Sequence, residues 1–354
     1  MMKTGRTRKA CLLLALMLCA LPLFAAGGES APAAAAAPAQ AGSILRTGSQ
    51  GEEVKRLQER LAELGYDPGK ADGAFGRKTK MALQSFQKQN GLTQDGEAGP
   101  ETLARLYSDE AAQAPEPIEA DVLAGELPML VNKDHPLEEM FYPKDLVRLK
   151  DVLPSKLVKI KYKDTRAVRE AAEAVKSMLE AAKADGITKW QISNAYRSYA
   201  QQENTLNNKI NTLLKQHKGW KRSRARGAAL QTVALPGCSE HQLGLAFDIN
   251  VPGVSSFAGT RQCKWLHEHC WEYGFIVRYT KEKEAITGFL EEAWHIRYVG
   301  KAHALKIREL GLCLEEYLEG IADGSILPPA PEEEPAENPA EVIQDEILLD
   351  DDAA

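Results

Sequence analysis

The 354-residue chain has no apolar run long enough to span a bilayer comfortably. Its longest run, Cys11 to Phe24, follows the basic residues Lys3, Arg6, Arg8 and Lys9 and precedes the small residues Ala25 to Gly28. That layout is expected of a cleavable export signal over residues 1–26 rather than of an anchor. A lipid-attached Cys19 is not expected, because Leu18 precedes it where a small residue would be needed. Cysteine is scarce: beyond the leader only Cys238, Cys263, Cys270 and Cys313 remain. Cys263 and Cys270 fall in one expected helix, about 10 Å apart, which is beyond disulfide reach. An even count in an exported chain permits other pairings, and four buried thiols is the alternative reading. Concentrated basic charge of the nucleic-acid-binding kind is also missing. The net charge of −6 is misleading, since Glu332 to Asp352 carries ten acidic side chains and no basic one. Without that tail the balance is slightly positive.

What is present is punctuated organisation. Residues 27–43 are an Ala/Pro-rich spacer, 109–126 a second linker, and 328–354 an acidic tail whose composition predicts disorder. Two compact pieces remain, residues 44–108 and 127–327. In the first, Val54, Leu57, Leu61 and Leu64 recur at helical spacing and Gly65 ends the run. Ser49 with Glu52 is expected as its capping box. A second helix is expected over Lys78 to Asn90, with Ala82 and Phe86 inward, and Pro100 opens a third. The turn at Asp72-Gly73 leading to Thr79 is echoed by Asp95-Gly96 leading to Thr102. The reading is a small all-α three-helix domain.

The second piece reads as α+β, with a small antiparallel sheet flanked by helices. Helices are expected over Arg166 to Ala184, from the Ser198–Gln201 capping box toward His217, over Arg261 to Tyr273, and after Gly300, the last clear one. Strands are expected over Ile187 to Ala195, Ala246 to Val251, Phe275 to Tyr279 and Trp294 to Val299. Alternation places Phe247, Ile249 and Val251 on one face and Asp248 on the other, and pairs His295 with Arg297 on one side.

Two stretches carry chemistry, Ser239-Glu240-His241 through Asp248, and Glu292-Ala293-Trp294-His295. Two imidazoles and one carboxylate with an open fourth position are the ligand set of catalytic zinc, here His241, Asp248 and His295. Glu292, three residues before His295, is placed as general base, with Glu291 as competitor. Arg197 is the candidate cation for a developing oxyanion or a substrate carboxylate. Ser239, Gln202 and Ser198 are candidate substrate contacts, Ser198 also serving as a helix cap. His267 and His269 diverge on a helix and cannot share a metal. His303 reads as a packing or surface residue, and His135 and His217 have no partner pattern. Lys221, Arg222, Arg224 and Arg226, after Trp220, read as a solvated loop.

Residues 44–108 resemble the small three-helix peptidoglycan-binding domain. The likeness rests on Val54-x-x-Leu57-Gln58-x-x-Leu61-x-x-Leu64-Gly65-Tyr66, the Asp72-Gly73-Ala74-Phe75-Gly76 turn and Phe86-Gln87-x-x-Asn90-Gly91-Leu92. It implies attachment to wall glycopeptide. Residues 127–310 resemble the VanY-type D-alanyl-D-alanine carboxypeptidases, zinc peptidases related to the D-Ala-D-Ala dipeptidases. The carrying motifs are Leu130-Val131-Asn132-Lys133, Tyr196-Arg197-Ser198-Tyr199 with Gln202, Pro236-Gly237-Cys238-Ser239-Glu240-His241-Gln242, Tyr273-Gly274-Phe275-Ile276-x-Arg278-Tyr279 and Glu292-x-Trp294-His295-x-Arg297-Tyr298-Val299-Gly300. Asn194, Ala293 and Thr280 depart from the usual Ser, Pro and Pro. The resemblance implies a Zn2+ enzyme that removes the terminal D-Ala of peptidoglycan stem peptides by water attack, with Glu292 as base and then acid. Cutting within stems or cross-bridges is the alternative, and a non-catalytic wall-binding protein a further one. A monomer, exported to the periplasm or the extracellular wall, is expected, with no nucleic-acid partner. Attraction of the basic run to an acidic wall polymer is a minor alternative.

Overall fold

The computed structural model describes residues 44–330. The expected leader, the Ala/Pro spacer and nearly all of the acidic tail lie outside the described residues. Among the described residues no helix is long and apolar enough to cross a membrane.

Three helices form the first core: α1 (Glu52–Glu63), α2 (Arg77–Gln89) and α3 (Pro100–Leu106). Val54, Leu57, Leu61, Leu83 and Phe86 are fully buried there, each worth about 1.5–3 kcal/mol relative to exposure. Pro100 occupies the first turn of α3, where its missing N–H costs nothing. The expected cap at Ser49 is not formed. Gly51 is the N-cap of α1, and the Ser49 hydroxyl instead accepts the Arg46 N–H at 3.1 Å. The local turn claims the hydroxyl before the helix can.

The duplicated turns are held by duplicated buried amides. Gln58 Nε2 donates to Ala74 O and Thr79 Oγ1, while its Oε1 accepts from Gly73 N at 2.9 Å. Gln87 repeats this with Glu97 O, Thr102 Oγ1 and Gly96 N, also at 2.9 Å. Residues 109–126, expected as a linker, fold back in part. Ala111 and Ala114 pack on the three-helix core, and Tyr66 Oη donates to Ala112 O. On the outer side of α2, Lys78 pairs with Asp164, and Lys88 pairs with Glu139 beside the Tyr199 ring.

The second piece begins with two small pairings. Strand β1 (Ile118–Ala120) runs parallel to β2 (Phe141–Pro143), and β3 (Leu146–Arg148) runs antiparallel to β5 (Arg166–Val168). Between them lie the helical turn α4 (Leu149–Val152) and strand β4 (Val158–Ile160). The helix expected from Arg166 begins only at α5 (Arg169–Ala184), because Arg166–Val168 is drawn into the β3 ladder. Next come β6 (Trp190–Asn194), α6 (Tyr199–Gln216), α7 (Arg222–Ala229), β7 (Ala246–Asn250), α8 (Arg261–His269), β8 (Phe275–Val277), the turn α9 (Glu284–Thr287), β9 (His295–Tyr298), α10 (Lys301–Leu310) and α11 (Leu314–Ala322).

The main sheet has the order β4-β6-β7-β9-β8. It is mixed rather than wholly antiparallel, since β4 joins β6 in parallel. The α+β class holds. The buried stripe of α5 (Ala171, Ala172, Val175, Met178, Leu179, Ala182) belongs to one core with Phe247, Ile249, Phe275 and Ile296, so the other face of β7 and β9 is left for chemistry. Helix α11, beyond the last expected helix, buries Leu314 and Tyr317 in a smaller cluster with Ile307. The basic residues Arg222, Arg224 and Arg226 lie on helix α7, not in a loop. Arg222 donates to Asn207 and Asn211 on α6, and Arg224 lies 4.4 Å over Trp220. All four described cysteines are free thiols, Cys238 half-buried and the others buried.

Candidate active site

Strand register brings the chemistry together. Asp248 on β7 faces His295 on β9 as a cross-strand pair, and Asn194 on β6 pairs with Asp248 on its other side. Residues directly opposed across antiparallel strands lie close enough for their side chains to meet. His241 arrives from the 3₁₀ turn Glu240–Leu243, which ends at Gly244. Gly244 has φ 71°, and a Cβ there would stand 2.8 Å from Leu146 Cδ2. A glycine is therefore what lets the chain reverse from His241 into β7.

The three donors converge. Asp248 Oδ1 lies 3.4 Å from His241 Nε2 and 3.2 Å from His295 Nδ1. Ligands of a tetrahedral zinc, at roughly 2.0–2.2 Å from the ion, sit roughly 3.3–3.5 Å apart, so this spacing fits such an ion. Asp248 Oδ1 is buried with no hydrogen-bond partner, as expected of an oxygen kept for a cation. His241 Nδ1 lies 2.6 Å from Ala195 O. A carbonyl can only accept, so Nδ1 carries the proton and Nε2 is left bare toward the centre. Asn194 Nδ2 donates to Asp248 Oδ2 at 2.8 Å and orients that carboxylate. These residues form the one metal-capable group of His, Cys, Asp and Glu among the described residues.

Beneath His295 lies a charge network that the motifs did not reveal. Glu240 is fully buried, with Arg278 Nε at 2.7 Å, Arg297 Nη1 at 3.3 Å and His295 Nε2 at 3.6 Å. Burial alone would raise the Glu240 carboxyl, but the two guanidiniums hold it far below the usual range. Arg278 also grips Glu315 on α11 with both terminal nitrogens, at 2.8 and 2.6 Å. The missed helix thus anchors the floor of the site.

The remaining shifts have opposite signs at the two imidazoles. Burial, followed by the nearby Arg197, lowers His241 to about 4. Burial would likewise lower His295, but the close carboxylates of Asp248, Glu240 and Glu292 outweigh this and raise it to about 9. Burial raises Glu292 to about 7, with His295 opposing. Glu292 Oε2 lies 3.7 Å from His295 Nδ1.

A cavity of about 240 Å³ opens over this centre. His241, Asp248, His295, Glu292, Arg197 and Ser239 all line it. Glu291 is exposed, and its backbone N–H donates to Glu284. Ser198 and Gln202 do not line the cavity. Ser198 caps α6 in a complete capping box with Gln201, and Gln202 Nε2 donates to Ala234 O at 2.7 Å. His267 lies 2.9 Å from Ala293 O, His269 pairs with Glu272, and His135 sits beside Asn132. His303 contacts Tyr317 and Glu126 O, and His217 stacks on Trp220. None of these five joins the centre. The cavity also takes in Lys209, Thr232, Val233, Ala234, Tyr279, Phe289 and Trp294. Only the helical phase of α6 hinted at Lys209, seven residues after Gln202.

A mixed sheet that presents two imidazoles and a carboxylate beside a buried free carboxylate defines the class, an α+β hydrolase of the metallopeptidase kind. Comparison narrows it. Residues 165–301 match the family model "VanY: D-alanyl-D-alanine carboxypeptidase", and residues 50–106 match "Putative peptidoglycan binding domain". "Putative carboxypeptidase YodJ" of Bacillus subtilis is 36% identical over 255 residues, covering 69% of this chain and 84% of that protein. A "D-alanyl-D-alanine carboxypeptidase" of Enterococcus faecalis is 42% identical over 144 residues, 41% of this chain and 52% of that protein, about half its length. The solved vancomycin-resistance D,D-pentapeptidase VanY of a VanB-type cassette, in complex with Zn(II), is 37% identical, covering 54% of this chain and 97% of that one, with a TM-score of 0.46. The chain belongs to the VanY-type D-alanyl-D-alanine carboxypeptidase family, preceded by a peptidoglycan-binding domain.

Proposed function

We propose that this protein is a zinc-dependent carboxypeptidase that removes the terminal D-alanine from peptidoglycan stem peptides. One observation carries the reading: His241, Asp248 and His295 converge at ligand spacing in the same cavity as the buried Glu292 and Arg197. Bound by those three residues, zinc would supply a Lewis acid that acidifies water and polarises the scissile carbonyl. Glu292 accepts the proton of the attacking water and returns it to the leaving amine. Its burial-raised pKa of about 7 suits a group that must do both near neutrality. Arg197 faces the oxygen on which negative charge develops. Its Nε is buried without a hydrogen-bond partner, so a donor is free for that oxygen. Asn194 and Glu240 position Asp248 and His295 from behind. Ser239 contacts substrate at the cavity wall.

Residues 44–108 would hold the enzyme on the wall and raise its local concentration there. The chain would act as a monomer outside the cytoplasm after removal of residues 1–26. Incubation with a muramyl pentapeptide and with cross-linked peptidoglycan, read by mass, tests this. D-Alanine release that is abolished by chelator and by Glu292→Ala is the expected result. New products from cross-linked wall alone would overturn it in favour of an endopeptidase.

A further inference from the structure

The hairpin of α6 and α7 carries a one-sided charge that the catalytic chemistry does not use. Residues 199–235 hold seven Lys and Arg against a single acid, Glu203. Lys215, Lys218, Lys221, Arg222, Arg224 and Arg226 are all exposed, and none forms an ion pair among the described residues. Other surface cations are paired, as Lys78, Lys88, Lys281 and Lys283 are. Like charges gathered on one short hairpin repel, a cost that a polyanion would remove. The patch is also held in place. Helix α7 folds back along α6, with Arg222 donating to Asn207 at 3.0 Å and to Asn211 at 3.2 Å.

Two features narrow the partner. The apolar faces of the hairpin are spent on each other, Leu206 and Ile210 of α6 packing with Ala225 and Ala229 of α7. No exposed large hydrophobic side chain lies in residues 199–235, so the patch lacks the apolar face with which a helix lies in a bilayer surface. Trp220 is half-buried, with the His217 ring stacked on it at 4.0 Å and the Arg224 guanidinium 4.4 Å over it. It therefore offers no free platform on which a nucleic-acid base could stack. What remains is charge, on lysines and on planar guanidiniums that match phosphate oxygens. We infer that this hairpin docks a linear polymer of phosphodiesters, anionic at every repeat and without aromatic or lipid parts, at the edge of the catalytic cavity. The same hairpin builds that edge, since Lys209 on α6 and Thr232, Val233 and Ala234 just after α7 line the cavity. Lys215 follows Lys209 by about 9 Å of helix. Glycopeptide lying beside such a polymer is thereby held near the catalytic centre. The inference stands apart from the carboxypeptidase reading, and it adds a second attachment to the one assigned to residues 44–108.

The test follows binding of the zinc-loaded full chain to fluorescently labelled poly(glycerol phosphate), a soluble phosphodiester polymer free of glycopeptide, by anisotropy as salt is raised. The wild type should bind at about 50 mM salt and lose affinity steeply by about 200 mM, as counterion release requires. A chain with Lys215→Gln, Lys218→Gln, Lys221→Gln and Arg226→Gln together should bind roughly tenfold or more weakly, with a shallower salt slope. It should release D-alanine from a soluble pentapeptide at the wild-type rate. Lys218→Gln and Arg226→Gln as single variants should each lower the slope by about one, which keeps the test alive if the combined variant folds poorly by circular dichroism. Lys215→Arg with Lys218→Arg should keep the affinity. Equal binding by the wild-type and neutralised chains, or no wild-type binding at about 50 mM salt, would overturn the inference. Tighter binding to phosphatidylglycerol vesicles or to a single-stranded oligonucleotide than to the polymer would also overturn it, in favour of a membrane or a nucleic acid. None of these outcomes touches the carboxypeptidase reading, which fails only if the wild type releases no D-alanine.

Discussion

The two folded pieces solve the burial of polar groups in opposite ways. In the three-helix module the buried polar side chains are neutral, the hydroxyls of Thr79 and Thr102 and the amides of Gln58 and Gln87. Each amide ties a turn of its own sequence repeat, 9 to 21 residues away. In the catalytic piece the buried groups include charges, and their partners are remote. Glu240 meets Arg278 across 38 residues, and Arg278 meets Glu315 across 37. Neutral local anchors stabilise a scaffold at modest cost. Buried charges are costly to desolvate and are retained where a field is wanted, here one that attracts a cation and orients His295.

That contrast can be broken from either side. The largest effect is expected on chemistry: Glu292→Ala should cut D-alanine release by about 10²–10⁴-fold, with melting temperature little changed. Chelation should abolish release while binding to isolated wall persists, as a sedimentation assay would show. Next comes Arg278→Met, which strands Glu315 and leaves Glu240 only Arg297 of its two guanidiniums, and should cost about 3–5 kcal/mol in urea unfolding of the catalytic piece. The wild-type contribution should depend on pH. Burial would raise Glu315, but Arg278 outweighs it and holds the carboxyl below its ordinary range. Stability from this pair is therefore fully present above about pH 4.3 and is lost as pH falls through the lower folded value, a slope absent in Arg278→Met.

Smaller again, Gln58→Leu leaves the Gly73 N–H without its acceptor and should cost about 1–3 kcal/mol. It should weaken wall binding and spare hydrolysis of soluble peptide. A preserved wall affinity would mean that the turn is no part of the binding surface. Least of all, Lys78→Ala removes a half-exposed ion pair with Asp164 and should change stability by no more than about 1 kcal/mol.

Elements with strong local signals were legible in the sequence. Ser198 and Gln201 cap α6 as their spacing predicts, and the Val54–Leu64 stripe packs inward. Alternation alone puts Asp248 on the face away from Phe247 and Ile249, and His295 on the face that it shares with Arg297. Ser49 misled because two local hydrogen bonds competed for one hydroxyl. Arg166–Val168 misled because helical periodicity cannot announce a strand partner twenty residues upstream. The parallel β4–β6 pairing and α11 were likewise invisible, since both depend on contacts with distant segments.

What the sequence determined by itself was the candidate donor set, the module repeat and the elements with a strong local pattern, because each is written in side-chain type and short-range spacing. Only the tertiary structure decided how the donors are used. The β6-β7-β9 register sets Asn194 behind Asp248 and His295 beside it. The 3₁₀ turn places Glu240 under His295, and the fold of α6 over the 232–234 segment puts Lys209 and Thr232 in the wall of the same cavity. Charge–charge geometry over a few ångströms is set by packing between segments far apart in the chain, and no local pattern encodes it.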